Sequence, residues 1–402
     1  MSPSLKARSV VLIALAQVAV LALWFSTAAV SADLAAQEGL GVSRIAALGL
    51  AVQLGFVAGA LGSAVLGLAD RWDPRLLFAA GALGGAAFNG VFLLDPASPA
   101  ALIARFAVGV CLAGVYPVGM KMIAGWANKG DAGLLVGILV GALTLGSASP
   151  HAFAWMGGVD WRIAVTAASA CAAVGAVLMQ FVELGPRHAE AARFDPAAAL
   201  GLVRDPAVRL VTLGYLGHMW ELYAGWTWIG VLLGLSFAPT LGGGAVAASK
   251  AAAFVVVGVG AVGCVAGGWL ADRVGRTTVT MAAMALSAAA CLGMGAVVGG
   301  PPVWIVLIGL VWGVTVIADS AQFSASVAEL APPERVGTLL SVQTALGFAL
   351  TAFSIRLVPE WAEAIGWRWA FAPLAIGPIL GVLAMGALRL RPEACRLAGG
   401  RG

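Results

Sequence analysis

Charge is scarce in this sequence: only 10% of its 402 residues are Asp, Glu, Lys or Arg, where soluble domains carry about 25%. That scarcity excludes a water-soluble globular protein. A nucleic-acid partner is not expected either, because 23 basic against 19 acidic residues leave a net charge of only +4. Cysteine is also sparse. Cys111, Cys171, Cys264 and Cys291 lie singly in apolar runs and Cys395 stands in the tail, so no pair has the spacing of a disulfide framework or a metal site. No metal and no cofactor are expected. The His-Glu-x-x-His pattern, the phosphate-cradling Gly-x-x-x-x-Gly-Lys loop and a convincing nucleophile set are missing as well, which argues against an enzyme.

What the chain has in quantity is apolar surface: 61% hydrophobic residues, 54 glycines and 14 tryptophans. A hydrocarbon layer of about 30 Å needs some 20 apolar residues at 1.5 Å each. Twelve runs qualify: 9–32, 45–69, 76–94, 100–126, 133–157, 162–183, 209–236, 246–271, 277–299, 302–330, 338–358 and 368–390. Their length and their Ala, Leu and Gly content call for helices, not alternating barrel strands. The expected fold is an all-α membrane protein of twelve transmembrane helices. Ala29-Val30-Ser31-Ala32 resembles a signal-peptidase site, but the apolar stretch before it is longer than a leader's, so the first run is read as a span.

With the N-terminus inside, most of the 23 basic residues fall on one side. The positive-inside rule then puts both termini in the cytoplasm of a multi-pass protein of the cell's inner membrane. The longest polar interval divides six spans from six, giving an N-terminal half over 1–183, a cytoplasmic linker over 184–208, a C-terminal half over 209–390 and a cytoplasmic tail over 391–402. Within the linker, Asp195-Pro196 reads as a helix cap with proline at the first position, predicting a short surface helix over 197–203.

The halves repeat. Asp70-Arg71 recurs as Asp272-Arg273, Gly133 as Gly337, and Trp161-Arg162 as Trp367-Arg368, at nearly constant separation. That pattern points to two parallel six-helix repeats around a central cavity. Gly67-Leu68-Ala69-Asp70-Arg71-Trp72-Asp73-Pro74-Arg75, between spans two and three, and Gly268-Trp269-Leu270-Ala271-Asp272-Arg273-Val274-Gly275-Arg276, between spans eight and nine, resemble the cytoplasmic loop signature of the major facilitator superfamily of secondary transporters. The resemblance implies that Asp70, Arg71, Asp272, Arg273 and Arg276 form a latch that holds the cytoplasmic ends of the halves in one state and releases them in another. A carboxylate facing a neighbouring helix's N-terminus and arginines holding phosphate or acidic groups suit that role. Arg105 in span four is similar to a second family motif. Gly137, Gly141 and Gly146 followed by Ser149-Pro150-His151 in span five are only partly similar to the glycine-proline motif of proton-driven drug exporters; small residues so spaced also simply let helices approach.

The candidate chemistry lies in spans seven and ten. Glu221 falls near the membrane midplane, with His218 one turn before it and Tyr215 one turn before that. A buried carboxylate beside an imidazole can exchange a proton at physiological pH, so Glu221 and His218, with Asp319 in span ten, are the expected proton-coupling residues, Glu221 foremost. Thr315, Asp319, Gln322 and Ser326, at i, i+4, i+7 and i+11, share one face of span ten. With Gln17, Trp24, Arg105, Tyr116, Thr144, His151, Tyr215 and Trp226, Gln322 is expected to line the substrate cavity. The leading expectation is alternating-access transport of a small organic solute, coupled to protons, by a protein that works as a monomer among membrane lipids. A facilitative uniporter and a drug-type proton antiporter remain open, as does, from another class, a membrane sensor or enzyme without transport.

Overall fold

The computed structural model describes residues 3–128, 131–188 and 194–402, without the side chains of Pro3, Ala69, Asp70 and Ala132. Twelve crossings follow one another among these residues. They are α1 (Pro3–Leu21, continued by Ser26–Ala29 and Ser31–Glu38), α2 (Val42–Leu66), α3 (Pro74–Val91), α4 (Pro99–Leu112 and Tyr116–Ala124), α5 (Ala132–Met156) and α6 (Trp161–Gln180). Then come α7 (Pro206–Leu241), α8 (Ala245–Gly258 and Gly260–Val274), α9 (Arg276–Val297), α10 (Pro302–Ala318 and Ser320–Leu330), α11 (Pro333–Ile365) and α12 (Ile376–Arg389). Ten stretches are long and apolar enough to cross a bilayer; one of them, Pro206–Val274, contains both α7 and α8. The 18-residue α3 completes the set, since about 27 Å of helix nearly matches the hydrocarbon. Helices follow from the solvent: lipid offers the backbone no partners, so each span must satisfy its own amides.

Helix starts are set by local chemistry. Asp73, Ser98, Asp160 and Asp205 each accept a hydrogen bond from a backbone amide in the first turn they precede, and proline follows three of them, where its missing N–H removes no bond. The Asp205 cap opens α7 at Pro206 rather than at 209. Asp195 caps the linker as expected, its Oδ1 accepting from Ala197 N at 2.9 Å, and the short helical stretch runs from Ala198 to Arg204. Outside the membrane, the Arg75 guanidinium beside Asp73 holds its carboxyl below the usual carboxylate range.

Two six-helix halves, α1–α6 and α7–α12, meet along two seams, α2 against α11 and α5 against α8. At the second seam backbone lies on backbone. A β-carbon on Gly137 would stand 3.0 Å from the Cys264 carbonyl, and one on Gly268 3.0 Å from that of Gly133. Both ends of the described chain lie on one face: Lys6 pairs with Asp131 at the start of α5, and Thr277 N at the start of α9 donates to Gly402 O at 3.2 Å. This is the terminal face below.

Candidate functional site

The site begins with a break in α1. Residues 22–25 leave the helix, which frees carbonyls that would otherwise be bonded four residues on. Arg105 of α4 takes them. Its guanidinium, fully buried, donates to Leu23 O at 3.2 Å and Trp24 O at 2.9 Å, and to Ser26 Oγ at 3.1 Å and Asn89 Oδ1 at 2.7 Å. Asn89 carries the network from α3 to α6 through Val165 O and Ser169 Oγ. Arg105 is therefore committed to holding α1 bent, a correction to the expectation that it faces substrate. Gln17 does similar work on α4, donating from Nε2 to Val115 O at 3.1 Å, where Pro117 interrupts the helix.

The bend presents Trp24 and Phe25 to the other half. Trp24 packs on Phe56 of α2 (ring centroids 4.8 Å apart), Tyr223 of α7 (5.6 Å) and Phe348 of α11 (5.3 Å). Phe25 lies on Tyr223 at 5.9 Å and Trp226 at 5.7 Å. These rings fill the middle of the seam in this conformation, and all are buried.

In α7 the structure corrects the expected pairing of Glu221 with His218. His218 Nδ1 stands 2.9 Å from Asp319 Oδ1, both side chains nearly inaccessible at 1% and 2% exposure. The approach is close without being an aligned hydrogen bond, and His218 Nε2 has no partner. Asp319 sits where α10 is interrupted, so its carboxylate meets α7 beside Phe323 and Tyr215. Glu221 turns to a different part of the same half, against α9 and the first segment of α10. Its carboxylate accepts from Ser287 Oγ at 2.9 Å, Cys291 Sγ at 3.0 Å and Trp312 Nε1 at 2.8 Å. An ionisable group at such depth is costly unless it is held or used. Glu221 is held by three uncharged donors, and Asp319 by one titratable neighbour.

Of the other expected cavity residues, Thr144 bonds back to Val140 O and lies 3.5 Å from Cys264 Sγ of α8. His151 is buried against Gly230, Tyr215 and Trp226 are buried, and Tyr116 is half-buried. Gln322 belongs elsewhere: its Oε1 accepts from Arg276 Nη1 at 2.8 Å. The break at Asp319 divides the stripe that a continuous helix would have given.

On the terminal face Arg276 is the hub, bidentate to Glu329 at 2.6 and 2.9 Å and 3.5 Å from Asp272. Asp272 crosses to the other half: a β-carbon on Gly133 would stand 2.4 Å from its Oδ2, so the carboxylate lies against the first turn of α5, where the helix dipole favours it. Arg273 stacks on Trp269 at 3.7 Å on the exposed edge, and Arg71 is exposed; neither bridges the halves as the latch reading expects. The Asp70 side chain lies outside the described residues. On the opposite face an ion pair that sequence reasoning missed closes the seam. Lys250 Nζ of α8 is 2.7 Å from Asp33 Oδ2 of α1, at 5% and 6% side-chain exposure, and donates to Gly158 O at 2.7 Å. Ser287, Cys291, Trp312, Asn89 and Glu329 were missed as well. Lys250, Asp33 and Glu329 carried a signal, as charges inside or beside apolar runs.

The family model described as Major Facilitator Superfamily matches residues 12–355. Among solved structures, the chain is similar to the xylose transporter XylE from E. coli in a partially occluded inward-open conformation, with TM-score 0.72, 15% identity, and coverage of 96% of this chain and 98% of that one. It is also similar to a point mutant of the nucleoside transporter NupG, with TM-score 0.70, 14% identity, and coverage of 96% and 99%. No curated protein matches it in sequence.

Proposed function

The chain belongs to the Major Facilitator Superfamily and is a multi-pass secondary transporter, and from that premise we propose that it moves a small organic solute by alternating access, coupled to protons through His218 and Asp319. The observation that carries the coupling is the buried imidazole–carboxylate contact of 2.9 Å at a helix break. A proton can be shared across such a pair and released when the seam admits water, because an imidazole and a carboxylate can each hold or give up one. Glu221, one turn along α7, is the second proton site. The structural neighbours are named for xylose and nucleoside transport, which supports a small organic solute. The terminal face is the cytoplasmic one, the protein lies in the inner membrane, and a single chain suffices, since both halves of the seam come from it. To test this, proteoliposomes are incubated with a metabolite mixture with and without an imposed pH gradient, and the lumen is analysed by mass spectrometry. At least one solute should accumulate only under the gradient; gradient-independent entry of every transported solute would leave a uniporter.

Two gates follow from the ion contacts. Asp272→Asn removes the charge from the first turn of α5 without disturbing a buried contact, since the side chain is 42% exposed. Transport should slow about tenfold in a protein that melts as the parent does; parental rates would end the latch reading for this half. Lys250→Met strands Asp33 in a buried site, a change that destabilises such pairs by about 3–5 kcal/mol. The opposite face should then open. In a background without the native cysteines, Phe25→Cys should be labelled several-fold faster by an impermeant maleimide added from that face; unchanged labelling would show that the pair does not gate.

A further inference from the structure

We propose that the middle of the seam recognises an uncharged, planar aromatic or heteroaromatic solute, held between the ring walls that the two halves carry. The inference rests on the transport reading only in taking this seam as the place where solute crosses.

The walls come from opposite halves. Trp24, Phe25 and Phe56 belong to α1 and α2; Tyr223, Trp226 and Phe348 belong to α7 and α11. Two of the contacts between them are nearly parallel, Trp24 on Phe348 at 30° and Phe25 on Tyr223 at 17°. Any rocking of the halves breaks these contacts and leaves two flat aromatic faces opposed. A planar unsaturated guest restores the lost stacking on both sides, which a saturated or branched one cannot do as well.

The polar groups at this level narrow the class. Trp24 Nε1, Trp226 Nε1 and Gln53 Oε1 have no hydrogen-bond partner, although these residues are only 2%, 1% and 1% exposed. Gln53 lies one turn along α2 from Gly49, on the face that Gly49 sets against Thr227 of α7. Buried polar atoms are rarely left unpaired, so two donors and one acceptor here point to a guest with ring or carbonyl acceptors and one N–H or O–H. Three such atoms are too few to satisfy the many hydroxyls of a sugar. Charge is answered elsewhere: Arg105 is bound to α1, Asp33 to Lys250, Glu221 to its three donors, and Asp319 faces His218. An ionic guest would therefore be desolvated among these rings without a counter-charge, which is strongly unfavourable.

The test is equilibrium dialysis of the full-length protein in nanodiscs against nicotinamide and hypoxanthine, both uncharged rings, and against benzoate, phenyltrimethylammonium and xylose. One of the uncharged rings should bind at least tenfold more tightly than the other three compounds. Trp24→Phe and Trp226→Phe, which keep a ring and lose the N–H, should each weaken it five- to tenfold. Tightest binding by benzoate, phenyltrimethylammonium or xylose, no binding by either uncharged ring, or parental affinity in both variants would overturn the proposal. Counterflow of the bound compound in proteoliposomes separates the two readings. Ring binding without flux keeps the recognition and removes the transport route, whereas xylose flux without ring binding does the reverse.

Discussion

Asp319→Asn is expected to reduce accumulation driven by a pH gradient at least tenfold while leaving solute exchange across the membrane within about threefold of the parent. The amide keeps the size of the carboxylate and can still meet His218 Nδ1, which now lies 2.9 Å away, so the packing at the α10 break survives. What it cannot do is take up and release a proton. Exchange needs only the rocking of the halves, whereas accumulation needs the proton cycle, and the variant separates them. Glu221→Gln should have the smaller effect on coupling and the larger one on stability, because its carboxylate answers three donors from α9 and α10 and an amide nitrogen would face at least one of them. This order reverses what depth and helical spacing alone suggest. If Asp319→Asn keeps half or more of the gradient-driven accumulation, the coupling role passes to Glu221.

The second large effect is on folding. Arg105→Met removes the guanidinium that ties down the α1 bend, leaving Trp24 O without its donor and only the Ser26 hydroxyl to serve both Leu23 O and Asn89 Oδ1 in a dry interior. Each buried polar group left without a partner costs about 1–3 kcal/mol, and the variant creates at least two. Little monodisperse protein should be recovered from membranes. Arg105→Lys should be only partly better, since a point charge cannot reach the two halves of the fork at once. Size-exclusion chromatography and thermal melting in detergent read both variants; a methionine variant that melts within about 2 °C of the parent would mean the bend is held by packing.

The fold was legible because its signals are local or repeated. Apolar length marks the spans, Asp-Pro and Ser-Pro pairs mark helix starts, and the doubled loop with Asp272 marks the duplication. The candidate site was legible only in its residue types. His218 and Glu221 are neighbours on one helix, and spacing cannot say which adjacent helix each will meet; α10 claims the first and α9 with Trp312 the second. The face shared by Asp319 and Gln322 assumes a continuous helix, and the α10 break divides it. The α1 bend left no trace at all, since residues 21–26 contain neither glycine nor proline. Its cause is Arg105, far along the chain. Trp24 and Trp226 are legible singly as cavity candidates, and only the fold gathers them with four other rings.

The bare contact of α5 with α8 has a consequence for what sets the resting state. Where Gly137 and Gly268 bring main chain against main chain, few side chains change rotamer as the halves tilt, so that stretch favours neither extreme of the cycle. The bias is concentrated at the two ends, Asp33 with Lys250 on one face and Asp272 at α5 on the other. Populations of the open forms then depend on the difference between two contacts, each of a few kcal/mol at most, and a shift of 1.4 kcal/mol in either changes their ratio about tenfold. A conductor of solute built this way can be retuned toward either side of the membrane by one substitution at a rim, without touching the residues that recognise what it carries.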